Sequence, residues 1–443
     1  MIRYLIRNCV PASTKHLIIA LTVSFAASAT TARSQSFALK DGETVVFYGD
    51  SITAQRLYTK DVEEFVLTRY PKMHIHFVNA GVPGDTTTGG YAGPMAERVT
   101  RDVVPWEPGM VAVMLGMNDG GWGYGSPNQI EDNFKTQYEA LLRAIHEASP
   151  DAALTLISST PYDEITHGTE FPGYAKMIDR LAADVSRIAA QWRQSNEGKP
   201  LFSDFHRTMV DALERAKVHD TQLAPLLIPD RIHPSEAAHW VIAAALMKTW
   251  NVEPIVSKVD LRATDATVTN HKFTAISDLK KSSAGITWTQ LDEALPLPLD
   301  FNNSMTTLLL QVSDIGDVDQ QMLRVDGLET GNYNLKIDDK QVASFSSAEL
   351  QRGVNLAIYK TPMLDQARDV ASKEDERARF DQTRFALSAD VKQIASTGIA
   401  ESTLRAAQDD IDIQLRKELA PKPHHFELQL EHPAQQNDAA AGH

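Results

Sequence analysis

A chain of 443 residues is too long for one ordinary core, and its 43% apolar and 23% charged residues are those of a soluble globular protein. The formal charge of −15 argues against nucleic acid or an anionic membrane held through a basic face. The only cysteine, Cys9, precedes the first apolar run, so the chain beyond that run has no disulfide, thiol nucleophile or thiolate metal site.

At the N-terminus, Arg3, Arg7 and Lys15 lead into the apolar run from Leu17 to Ala29, and Ala27-Ser28-Ala29 offers small residues for cleavage. This pattern predicts a secretory signal peptide over residues 1–34, cut near Ala29 or Ala32. The protein is then exported, to a periplasmic or extracellular space. The run is short for a membrane span, so no stable membrane anchor is expected. Residues 1–34 hold four basic residues and no acid, which leaves −19 on the remainder.

Residues 35–254 alternate strand and helix signals. Candidate strands are 44–49, 74–81, 110–116, 153–160 and 201–205, with helical patterns at about 55–70, 92–104, 128–148, 172–195, 206–217 and 235–250. Apolar strands separated by helices predict an α/β fold with a parallel sheet covered on both faces. In such sheets ligands bind at the carboxyl ends of the strands. Three strands end there on chemistry-bearing residues: Gly49-Asp50-Ser51, then "NAGVPGDT" (79–86), then "GMNDGG" (116–121). Taken singly, each also reads as a turn or a helix cap.

A fourth stretch, "PDRIHPSEAAHW", places Asp230 three residues before His233, ahead of an apolar helix. Pro234 suits the first turn of that helix and biases His233 away from helical geometry. Asp230 can then curl back onto one imidazole nitrogen and leave the other free to take a proton from a serine. The alternative is a plain Asx turn beside a surface histidine. Ser51, Asp230 and His233 together have the chain order of a Ser-Asp-His triad, without the G-x-S-x-G elbow of the α/β-hydrolases.

The arrangement resembles the SGNH, or GDSL, esterase superfamily over roughly residues 44–250. Ser51 in "YGDSIT" matches that family's nucleophile, Gly84 in "GVPGDTT" its second-block glycine, Asn118 in "LGMND" its third-block asparagine, and His233 with Asp230 in "DRIHP" its last block. The resemblance implies a flavodoxin-like three-layer α/β/α sandwich. It also implies an oxyanion hole formed by the Ser51 and Gly84 backbone N–H groups and the Asn118 side-chain amide. A Cβ at residue 84 is expected to obstruct the substrate.

Other features carry less. Trp122 and Tyr124 in "GGWGYG" offer an apolar or sugar-stacking wall, and packed aromatics in a glycine-rich loop are the alternative. His74 and His76 alternate as a sheet-face pair, and Asp204 with His206 reads as structural. No phosphate loop, dinucleotide fingerprint or zinc motif is present, so no cofactor is required. Residues 255–360 read as a small β-rich, sandwich-like module, with turns at 329–332 and 338–340. Residues 361–420 read as charged helix, and 421–443 as a partly disordered tail that leaves His424 and His425 solvated. "LPLPLD", "LRVDGLETGNYNLKID", "GVNLA" and "TPMLDQA" resemble the C-terminal region of some bacterial secreted SGNH-type proteins. That region either binds a polysaccharide or packs over the sheet edge and shapes the cleft. The second is favoured, because no Pro/Ser-rich linker separates it.

The expected function is a serine esterase acting on acyl or acetyl esters, with carbohydrate as a candidate carrier. Its partner would be a small-molecule or polysaccharide ester. The alternatives are an O-acetyltransferase acting on an envelope polysaccharide and a non-catalytic carbohydrate-binding protein on the same fold.

Overall fold

The computed structural model describes residues 37–195, 199–283, 285–390, 415 and 417–431. The stretch read as a signal peptide lies outside them, as do residues 391–414 and the last twelve residues.

The first part alternates strands and helices. β1 (Thr44–Gly49) leads into α1 (Ser51–Ala54) and α2 (Leu57–Arg69), then β2 (His76–Gly81). A small hairpin of β3 (Gly89–Gly90) and β4 (Gly93–Pro94) precedes α3 (Met95–Arg98). β5 (Met110–Met114), α4 (Pro127–Ala148), β6 (Ala153–Ile157), α5 (Tyr174–Ser195), β7 (Leu201–Ser203), α6 (Phe205–His219) and α7 (Glu236–Thr249) come next. The five main strands form one sheet in the order β2-β1-β5-β6-β7, with every pair parallel.

The period of two along each strand explains the layers. Val45 and Phe47 point into a core shared with Val62 and Phe65 of α2, Met209 and Leu213 of α6, and the apolar α7. Val46 and Tyr48 point into a second core with Phe134, Tyr138 and Leu142 of α4 and Leu181, Val185 and Ile188 of α5. The result is the three-layer α/β/α sandwich expected for an SGNH hydrolase. α7 is buried from Ala237 to Met247, which accounts for its unbroken apolar sequence. Two expected helices are broken. The one at 55–70 starts at Ser51, stops at Gln55 and restarts after Arg56, whose φ of 65° is left-handed. The one at 92–104 is α3 followed by a π-turn at Val99–Val103.

β8 (Ile255–Arg262), β9 (Thr267–Lys272), β10 (Thr274–Lys281) and β11 (Gly285–Asp292) open the second part, followed by α8 (Ser304–Val312). β12 (Gln320–Asp326), β13 (Asn332–Ile337), β14 (Lys340–Ser346), α9 (Ser347–Arg352), β15 (Val354–Asn355), α10 (Pro362–Asp390) and β16 (His424–Leu430) complete the order. Two sheets result, β10-β11-β16-β13-β14 and β15-β12-β8-β9. Their inner faces meet in a core holding Val259, Trp288, Leu323, Val325, Leu335, Phe426 and Leu428. The segment read as a solvated tail is therefore corrected at 424–430. β16 is the central strand of its sheet, with Phe426 stacked on Trp288 at 5.0 Å. His424 is buried with Nδ1 2.6 Å from Asp338 Oδ2, whereas His425 alternates outward and is exposed.

The second part also completes the first. Leu297, Leu299, Leu308, Leu309, Val312 and Val318 belong to the same buried cluster as α6 and α7. Arg69, in the last turn of α2, is buried against Asp319 at 2.8 Å. Arg69 also donates to Glu253 O at 2.6 Å, and Asp319 accepts from Leu297 N at 3.0 Å. Asp319→Ala leaves Arg69 buried and unpaired, so the expected loss of stability is about 3–5 kcal/mol. Urea unfolding of the two proteins checks this, and equal midpoints would refute it.

Candidate active site

Ser51 owes its place to the tight turn that ends β1, an interior strand of the sheet. Gly49, the last residue of β1, has no room for a side chain: a Cβ there would lie 2.1 Å from Thr53 Oγ1 and 2.8 Å from Met114 O. The strand can therefore turn tightly into α1. Asp50 caps α1 by accepting from Ile52 N at 3.0 Å, and Ser51 is the first helical residue. Because β1 lies between β2 and β5, the loops leaving those two strands flank Ser51.

His233 reaches Ser51 from the loop before α7. His233 Nε2 is 2.8 Å from Ser51 Oγ, and His233 Nδ1 is 2.7 Å from Asp230 Oδ2. Asp230 Oδ1 accepts from the backbone N–H of Ile232 at 3.0 Å and of His233 at 2.7 Å. This Asx turn and the imidazole contact were alternatives in the sequence; one carboxylate makes both. Partial burial pushes the Asp230 carboxyl up, but its hydrogen bonds from His233 and Ile232 outweigh that and hold it below the usual carboxylate range. Nδ1–H donation to Asp230 leaves Nε2 as the acceptor for the serine hydroxyl. Pro234 lies one residue outside the helix rather than in its first turn, because Ser235 is the cap, accepting from Ala238 N at 3.4 Å.

Gly84 and Asn118 lie on the flanking loops. Gly84 has a φ of 74° in the turn closed by Asp85 N to Val82 O at 3.2 Å. With Pro83 before it, this is the type II pattern that favours glycine. A Cβ there meets no protein atom within 4 Å, so the backbone conformation is what selects glycine, and the space beyond it is open. Asn118 Nδ2 donates to Asp85 O at 2.9 Å, and Asp119 Oδ1 accepts from Thr87 N at 3.0 Å and Thr87 Oγ1 at 2.7 Å. The two loops are thus tied together. Beneath them the fully buried Arg98 pairs with Asp85 and Asp102, donates to Ala80 O, and lies 4.3 Å over the Tyr48 ring.

Trp122 stacks on Tyr174 at 4.7 Å, in an aromatic cluster with Phe171, while Tyr124 is exposed. Asp204 caps α6, and His206 bonds Ser159 O and Asp179, far along the sheet order from β1. His74 is exposed beside Asp41, and only His76 lies in the strand. Among the described residues no group of three His, Cys, Asp or Glu is arranged to hold a metal.

Three supports escaped sequence reasoning. The loop after β6 grips the Asp230–His233 turn: Thr160 Oγ1 donates to Ile232 O at 3.2 Å, and Asp163 N donates to Arg231 O at 2.9 Å. Arg231, at a φ of 71°, then pairs with Glu170 at 2.9 Å. Second, the elbow between α1 and α2 rests on His239, whose Nδ1 accepts from Tyr58 N at 3.1 Å while Nε2–H donates to Gln55 at 3.1 Å. Burial pushes His239 down to about 3, so it stays neutral. Third, burial raises Asp50 to about 7 and Asp119 to about 6. Nothing in the spacing of these residues marks them as neighbours.

Comparisons with known proteins bear on the class of the chain. The family model of the GDSL-like lipase/acylhydrolases matches residues 47–241, which span β1 to α7. An acetylxylan esterase of Geobacillus stearothermophilus is 27% identical over 233 residues, 49% of this chain and 98% of that one. A gut microbial diltiazem-metabolizing enzyme of solved structure shares the fold, with a TM-score of 0.73 and 22% identity over 90% of this chain and all of that one. The class is that of a carboxylic ester hydrolase. Residues 47–241 are thus similar to the GDSL-like lipase/acylhydrolases, and the two β sheets follow that stretch.

The buried carboxyl beside Ser51 makes stability depend on pH. Asp50 is raised by burial and by the nearby Asp119 and Asp85 charges, against the Ile52 N–H that lowers it. The folded protein therefore holds a proton that the unfolded chain has released, and this contribution to stability is lost as pH rises from about 4 towards 7. Asn can still cap α1, so Asp50→Asn is expected to shrink the fall in the urea midpoint across that range. An unchanged pH slope would contradict the assignment.

Proposed function

We propose that this chain is a serine esterase that hydrolyses short acyl esters, acetyl esters above all, through Ser51, His233 and Asp230. The observation that carries the reading is the unbroken contact from Asp230 through His233 to Ser51, at 2.7 and 2.8 Å. Ser51 Oγ attacks the ester carbonyl as His233 Nε2 takes its proton. Asp230 stabilises the imidazolium that forms. The tetrahedral oxyanion is met by the N–H groups of Ser51 and Gly84 and by Asn118 Nδ2. One Nδ2 hydrogen is engaged by Asp85 O, and an amide carries a second. Collapse expels the alcohol, protonated by His233, and leaves an acyl-Ser51 that water hydrolyses by the same route in reverse.

The acetylxylan esterase relative supports a carbohydrate carrier for the ester. Trp122, fixed by its stack on Tyr174, and Tyr124 supply a wall for that carrier. No helix among the described residues is long and apolar enough to cross a membrane, and export to the periplasm or medium completes the reading.

Kinetics on 4-nitrophenyl acetate test the roles. Ser51→Ala and His233→Ala should fall to near background. Asn118→Ala should lose about 100- to 1000-fold in kcat while its circular dichroism stays unchanged. Unaltered turnover in any of the three would remove that residue from the mechanism. Product analysis with added sugar acceptors should show free acetate; acetylated acceptor as the main product would favour the transferase instead.

A further inference from the structure

Among the described residues, few large apolar side chains face water. Seven are exposed among the described residues, and only two of these are aromatic: Tyr91 at 79% and Tyr124 at 78%. Both lie on the loops that carry Gly84 and Asn118. A tyrosine ring open to solvent presents an apolar face that a ligand can cover, with a hydroxyl at its wet end.

Neither side chain stands on a loose loop. Tyr91 and Ala92 form the two-residue tip between β3 and β4, with Gly89 paired to Pro94 and Gly90 to Gly93. The hairpin is pinned by Thr86 Oγ1 to Gly89 O at 2.7 Å and by Arg101 Nη1 to Ala92 O at 2.8 Å. Its base rests on the oxyanion turn, since a Cβ on Gly90 would lie 3.0 Å from Asp85 Oδ1 and 3.5 Å from Gly84 O. Tyr124 is held by its N–H to Gly121 O at 2.9 Å, just after the stacked Trp122. The hairpin leaves β2 and the Tyr124 loop leaves β5, the two neighbours of β1.

We propose that Tyr91 and Tyr124 are stacking platforms for two sugar rings of an acylated glycan chain, one on each side of the ester presented to Ser51. The proposal rests on the esterase reading above and extends it from an acyl group to a polymer. The C–H face of a pyranose packs on an aromatic face, and prefixed rings lose little freedom when the chain arrives. Two platforms joined through one substrate also reinforce each other, which a small ester cannot exploit.

Two measurements test it. In the Ser51→Ala background, affinity electrophoresis through deacetylated xylan and pectin reads chain binding without catalysis. Retardation by at least one polymer, weakened roughly threefold to tenfold by Tyr91→Ala and again by adding Tyr124→Ala, is the expected result. In the active enzyme, the double variant should lose roughly tenfold more kcat/KM on the acetylated polymer than on 4-nitrophenyl acetate, chiefly through KM. Tyr91→Phe or Tyr91→Trp should restore the loss, because the ring face and not the hydroxyl makes the contact. No retardation by either polymer, or equal losses on both esters, overturns the proposal. An active-site failure on 4-nitrophenyl acetate with retardation intact would instead refute the esterase reading and leave the platforms standing.

Discussion

One imidazole ring joins the two ends of the GDSL-like domain. His233 sits 182 residues from Ser51, and its two nitrogens are engaged on opposite sides at 2.7 and 2.8 Å. Such a ring can be held only if both of its neighbours are fixed. Ser51 is fixed by a glycine-terminated strand and a capped four-residue helix. Asp230 is fixed by two backbone N–H groups of its own turn, and that turn is gripped by Thr160, Asp163 and Glu170 from the loop after β6. The parallel sheet matters because it brings the ends of β1, β2, β5 and β6 to one side, where four loops can meet.

That convergence concentrates charge. Asp50, Asp85 and Asp119 lie near one another with Arg98 as the buried cation, and each of the three carboxyls is raised above its ordinary range, burial being the main cause. Buried ionisable groups are costly unless paired or neutralised. The architecture accepts them here, beside the candidate nucleophile, where Asp119 and Asn118 tie the loops carrying Gly84 and Asn118 into one unit. A second tie, Arg69 to Asp319, fastens the α/β layers to the segment that leads into the β sheets. The second half of the chain is thus continuous with the packing of α6 and α7 rather than suspended from it.

Much of this was legible in the residues. The strands at 44–49 and 110–114 were readable because Val45–Tyr48 and Met110–Met114 are buried on both faces and run apolar or aromatic without a break. Ser51, Gly84, Asn118, Asp230 and His233 were readable as separated blocks; the structure joins Ser51, His233 and Asp230 by hydrogen bonds and ties Asn118 to the residue after Gly84. What the sequence hid is of two kinds. β16 has a clear alternation in Phe426, Leu428 and Leu430, but its partners lie near residues 286 and 335, and no local signal says so. Arg231, Glu170 and His239 are ordinary polar residues whose roles come only from what folds against them. The break at Arg56 is of the same kind, a left-handed residue inside an otherwise helical pattern.

The most direct test is a crystal structure of the enzyme after reaction with an organophosphonate that mimics the tetrahedral intermediate. Phosphorus is expected on Ser51 Oγ, with the phosphonyl oxygen about 3 Å from the Ser51 and Gly84 nitrogens and Asn118 Nδ2. His233 should still bridge to Asp230. An adduct on another residue, or an oxygen turned away from Gly84 and Asn118, would contradict the assignment.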